Sequence, residues 1–121
     1  MIGKLGLIML VTHDMEKSTE FYRDVLGLKL MFSTPGWTQF DAGNIHIGLH
    51  APSERLHAER TNSVQFGFYV DDIQKAADQL QRKGVNFVME PTKQDFGWLA
   101  IFSDPDGYHV QLGQMASGGK R

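Results

Sequence analysis

Apolar residues along the chain fall into short runs divided by Gly, Pro and Asp, and the period of the runs changes in an order that occurs twice. Leu5 to Thr12 is nearly continuous apolar sequence, the pattern of a strand buried on both faces. Asp14 stands where a helix N-cap belongs. Met15, Phe21, Tyr22, Val25 and Leu26 then share one helical face ahead of Gly27, a residue suited to a left-handed C-cap. Strands are predicted over Leu28–Ser33, Trp37–Asp41 and Asn44–His50, with Asp41-Ala42-Gly43 as a hairpin signal.

After a polar stretch from Ala51 to Asn62 the order restarts. Val64–Val70 reads as a strand and Asp71 or Asp72 as an N-cap; Ile73, Ala76, Ala77 and Leu80 keep helical spacing up to Gly84. Strands follow over Val85–Met89, Trp98–Ser103 and Tyr108–Leu112, the last entered through an Asp104-Pro105-Asp106-Gly107 turn. Laid on each other, the halves match at Asp14 and Asp72, at Gly36-Trp37 and Gly97-Trp98, and at Ile45–Leu49 and Tyr108–Leu112. The expected organisation is one domain of two βαβββ modules, residues 1–52 and 62–115, with a linker at 53–61 and a frayed tail at 116–121.

Composition narrows the function classes. The 121 residues carry 12 Lys+Arg against 14 Asp+Glu and no Cys, which removes disulfide scaffolds, thiolate metal sites and cysteine nucleophiles. A net charge of −2 offers no footprint for nucleic acid and no polybasic membrane patch. No run is long enough to span a bilayer and no secretory leader is evident, so a soluble, cytoplasmic protein is expected. No Ser-His-Asp arrangement, phosphate-binding glycine loop or dinucleotide fingerprint is present. An enzyme and a binding protein both remain open.

Three stretches carry a family resemblance: Asp14 through Leu28, the Val70-Asp71 helix start, and Phe102 through Tyr108. In these the chain resembles the vicinal oxygen chelate superfamily, which holds glyoxalase I, bleomycin-resistance proteins, fosfomycin-resistance enzymes and extradiol dioxygenases. The resemblance implies a single glyoxalase-like domain of α+β class. In it, two pseudo-symmetric βαβββ modules form a cupped, half-barrel mixed sheet with helices on the outer face. It further implies a small-molecule ligand in the cup and a homodimer. The motifs are packing and turn residues, so they specify a scaffold and no one activity.

The period of two sorts each strand into faces. With Ile45, Ile47 and Leu49 toward the helices, His46, Gly48 and His50 face the cup; Gln65, Gly67 and Tyr69, and His109, Gln111 and Gly113, do so in the second module. Metal-dependent members of the superfamily place one ligand on the first and one on the last strand of each module. Those positions fall here on Leu7, Gly48, Gln65 and Gln111, a set without carboxylate or imidazole. No metal and no other cofactor is therefore expected. A displaced site through His46 and His109 is the rival arrangement. His13 and His57 read as solvated residues, whereas Trp37 and Trp98, each after a glycine, are candidate aromatic walls or core.

The leading expectation is metal-free binding or sequestration of a planar aromatic compound by His46, His50, Gln65, Tyr69, Trp98, His109 and Gln111. The alternatives are a lyase or isomerase resembling glyoxalase, working through a displaced metal or a His46/His109 acid-base pair, and a regulatory or assembly module without chemistry.

Overall fold

The computed structural model describes residues 3, 5–53 and 65–116; the linker histidine His57, most of the linker and most of the tail lie outside them. The chain gathers into two compact units, Met1–Glu59 and Arg60–Arg121.

Both units begin with the same capping chemistry. Asp14, with extended backbone, accepts from Lys17 N at 3.0 Å and opens α1 (Met15–Glu20); Asp72 accepts from Lys75 N at 3.1 Å and opens α2 (Ile73–Arg82). Of the two candidate caps at the second helix, Asp72 is therefore the one used. The helices end differently. α2 runs into Gly84 at φ +86, while α1 passes into a π-helical turn over Phe21–Val25, where Leu26 N donates to Phe21 O. The one-residue widening turns Tyr22 fully inward against Phe40, with ring centroids 5.9 Å apart.

In the first unit β1 (Leu7–Val11), β2 (Lys29–Ser33), β3 (Trp37–Asp41) and β4 (His46–His50) form a sheet of order β1-β4-β3-β2. β1 and β4 run parallel and the other pairs antiparallel. In the second, β5 (Phe66–Tyr69), β6 (Phe87–Gln94), β7 (Gly97–Ser103) and β8 (His109–Met115) repeat this as β5-β8-β7-β6, again with only the first and last strands parallel. The fold is α+β, built from two four-stranded mixed sheets with the βαβββ order read from the sequence.

One face of each sheet is core. Leu10, Tyr22, Phe40, Ile47 and Leu49 are buried in the first unit; Ile73, Ala77, Ala100, Phe102, Val110 and Leu112 are buried in the second. α1 lies against β3 and β4, and α2 against β6, β7 and β8. β1 departs from expectation, since Leu7 and Met9 remain 45% and 39% exposed: the strand is an edge whose second face is open over these two residues and closes only at Val11. β6 extends beyond its predicted end at Met89 through Pro91 to Gln94, which is possible because β6 is an edge strand and an edge position needs no N–H on its open side. No helix among the described residues is long and apolar enough to cross a membrane.

The return into β8 is organised by Asp104, which is 6% exposed and accepts from Asp106 N at 2.9 Å and Tyr108 N at 2.8 Å. Asp104→Ala strands both donors in a part-buried turn and is expected to lower unfolding stability by about 2 kcal/mol, with Asp104→Asn costing less; urea unfolding measures both.

Candidate functional site

Opposite each core lies the other face of the same sheet, and its composition follows from strand register. In the first unit Leu7, His46 and Asp41 stand side by side, then Met9, Gly48 and Gln39, then Val11, His50 and Trp37. Phe32 of β2 joins beside Gln39. The middle row has a glycine at its centre because Trp37 lies across it: a Cβ on Gly48 would stand 2.2 Å from Trp37 Cζ2. The indole packs edge-on to His50 with centroids 5.8 Å apart. Its Nε1–H donates to Gln39 Oε1 at 3.0 Å, and Gln39 Nε2 in turn meets His46 Nδ1 at 2.8 Å.

In the second unit the open face carries Gln65, Gly67 and Tyr69 at the β5 end, His109, Gln111 and Gly113 on β8, and Leu99, Ile101 and Ser103 on β7. A groove of about 200 Å³ is lined by Gly67, Tyr69, Phe96, Leu99, Gln111 and Gly113, together with Phe68. Tyr69 and Phe96 are 57% and 41% exposed, large apolar rings left at the groove's margin. The floor is glycine for a steric reason: a Cβ on Gly67 would lie 2.7 Å from Gln111 Cβ and 2.8 Å from its carbonyl oxygen. Gln111 Nε2 donates to Gln65 Oε1 at 3.1 Å, so the two amides are held together. The volume is below the ~300–1,000 Å³ of a drug-sized site and suits one flat ring system.

Of the residues expected to line the site, His46 and His50 share the open face of the first sheet, and Gln65, Tyr69, His109 and Gln111 share that of the second. Trp98 does not. It pairs with Gln114 on the side of Ala100 and Phe102, and Gln114 Oε1 accepts from Ile73 N at the start of α2, which fixes that side as the helix-facing one. The match of Trp37 with Trp98 is thereby corrected: Leu99, paired with Gly113, occupies the place that Trp37, paired with His50, holds in the first unit. The one-residue offset arises because β7 starts at Gly97, directly after the tight Asp95-Phe96 turn. Gln39, Phe96 and Leu99 were not anticipated. Alternation along Trp37-Thr38-Gln39-Phe40-Asp41, with Thr38 and Phe40 buried, carries the signal for Gln39.

The superfamily's metal positions can be tested against these contacts. Leu7 has no donor atom, Gly48 has no side chain and its Cβ space is filled by indole, and Gln65 and Gln111 are neutral amides joined by one hydrogen bond. Among the described residues no three His, Asp or Glu side chains gather closely enough to hold an ion. This donor set does not fit a catalytic divalent cation, which needs carboxylate or imidazole ligands.

Two βαβββ units, each a four-stranded mixed sheet, define an α+β fold of the vicinal oxygen chelate class. The chain belongs to the Glyoxalase/Bleomycin resistance protein/Dioxygenase superfamily, whose family model matches residues 4–112. It is 32% identical over 123 residues to the lactoylglutathione lyase of Neisseria meningitidis serogroup A, covering 91% of this chain and 89% of that protein. TnmS3, an antibiotic binding protein from a Streptomyces species, superposes with a TM-score of 0.81 at 26% identity, over 95% of this chain and 98% of that one. A glyoxalase/bleomycin resistance protein/dioxygenase from Nocardioides superposes with a TM-score of 0.81 at 23% identity, over 99% and 88% of the two chains, and speaks to the fold alone.

The contact between Trp37 and Gly48 is directly checkable. Gly48→Ala forces the indole aside, an overpacking expected to cost about 1–3 kcal/mol and to move the tryptophan emission maximum; an unchanged spectrum and stability contradict the packing described.

Proposed function

We propose that the protein binds a planar aromatic small molecule on the open faces of its sheets without a metal ion, as a sequestering or carrier protein and not as a lyase. The observation that carries this reading is the pairing of Gln65 with Gln111 beside a glycine-floored groove flanked by Tyr69 and Phe96. Flat floors and exposed rings favour stacking, and amides orient a ligand without activating it. The likeness to an antibiotic binding protein supports the same reading. The likeness to a lactoylglutathione lyase supports the enzyme alternative, for which this chain would have to recruit His46 or His109 in place of the usual ligand positions.

His46, His50, Gln65, Tyr69, His109 and Gln111 are the proposed contacts, now with Phe96 and Leu99 in place of Trp98. A homodimer goes with this reading, since the outer strands β1, β2, β5 and β6 each leave one edge without a strand partner within their own sheets.

Titration with planar aromatic probes such as acridine, followed by tryptophan quenching and by calorimetry, is expected to show saturable binding. Tyr69→Ala should weaken it about tenfold, the scale of one aromatic contact. Treatment with a chelator should leave affinity and thermal stability unchanged. Stoichiometric nickel, zinc, iron or manganese in protein purified without chelator, lost together with stability on chelation, overturns the metal-free reading.

A further inference from the structure

The chain of contacts from Trp37 through Gln39 to His46 has a direction. An indole N–H can only donate, so the atom of Gln39 facing it must be the amide oxygen. That choice settles the other end: the amide NH₂ faces His46 Nδ1 at 2.8 Å and donates to it. Nδ1 is then an acceptor and the ring proton sits on Nε2. His50, on the same face and strand, is set the opposite way. Its Nδ1 meets Ala51 O, a carbonyl that can only accept, so Nδ1 carries the proton and Nε2 of the neutral ring is an acceptor. The two imidazoles thus differ in polarity, with Gly48 and the overlying indole between them.

Around this polar line the sheet is apolar. Leu7 and Met9 flank β4 on one side and Phe32 lies beyond Gln39 on the other, all three at least 39% exposed. A hydrogen-bond donor held between apolar shoulders selects for an acceptor on a flat, otherwise apolar body. A ring system without an acceptor leaves the donor unsatisfied when water is displaced, and that selects against it.

We propose that the open face of the first sheet recognises a planar aromatic compound bearing a ring carbonyl, which accepts from His46 Nε2–H, and that Gln39 is the positioning residue that holds His46 in this tautomer through its anchor on Trp37. The proposal rests on the binding function above and names the ligand chemistry of one of its faces.

Two measurements on the 121-residue chain test it. Long-range ¹H–¹⁵N NMR of the histidine rings should show Nδ1 of His46 unprotonated and Nε2 protonated, with the reverse at His50; protonated Nδ1 at His46 overturns the proposal without any ligand being needed. Equilibrium dialysis with 9-fluorenone and fluorene, which differ by the carbonyl, should favour the ketone about fivefold, the size of one ordinary hydrogen bond. In Gln39→Glu both carboxylate oxygens accept, so a neutral His46 ring must place its proton on Nδ1; at a pH where NMR shows that ring neutral, the preference should vanish and the NMR signature should reverse. Equal binding of the two rings by the unaltered protein, or a preference retained in Gln39→Glu, overturns the donor assignment while leaving ring binding intact. Binding of neither ring removes the binding function itself.

Discussion

Strands that are parallel neighbours cannot be joined by a tight turn, so a chain that pairs its first strand with its fourth must first cross the sheet and come back. Each unit solves this with a capped helix followed by an antiparallel meander, and the result is that β4 and β8 lie inside their sheets with a neighbour on both sides. Every open-face position on these two strands is therefore hemmed in laterally. Residue 48 on β4 is crowded by the side chain at 37, and Gln111 on β8 in turn crowds residue 67 of its edge neighbour β5. What may occupy the candidate sites follows from this one pairing.

The two units use the same frame differently. In the first, indole lies over glycine and an amide links it to an imidazole, which yields a directional hydrogen-bond line. In the second, a groove beside Tyr69 and Phe96 is floored by Gly67, against which Gln111 packs, and by Gly113, and Gln111 donates to Gln65. Neither arrangement supplies the anionic or imidazole donors that a divalent ion requires at the superfamily's positions, and both offer flat apolar surface with a few oriented polar atoms. The proposed ligand is read from that contrast.

Much of this was legible from residue pattern. Caps at Asp14 and Asp72, the turn at Asp104 and the alternation in β4 and β8 are local signals, and they located the elements and the facing of His46, His50 and Gln111. Trp98 was misplaced because alignment by a preceding glycine ignores where a strand's pleat begins; at Gly97 the strand starts two residues earlier relative to its partner than at Trp37. The extension of β6 through Pro91 was hidden because a sequence does not reveal which strands are edges. The Gln39 link was out of reach for another reason: it depends on an indole N–H being a pure donor, and that contact exists only once β3 and β4 are in register. The buried hydroxyls of Thr12, Ser18, Thr19 and Thr38, which bond one another beneath α1, are likewise a product of packing that hydropathy alone does not mark.

The central claim is that the ligand positions of this superfamily have here become a surface for a flat organic molecule. A crystal grown with both nickel and a planar aromatic probe, measured at the nickel absorption edge, tests it most directly. The claim predicts ring density over Gly67 and Gly113 between Tyr69 and Phe96, with no anomalous peak within bonding distance of Gln65 or Gln111. A full-occupancy anomalous peak on those two amides, with the groove empty of the ring, contradicts it.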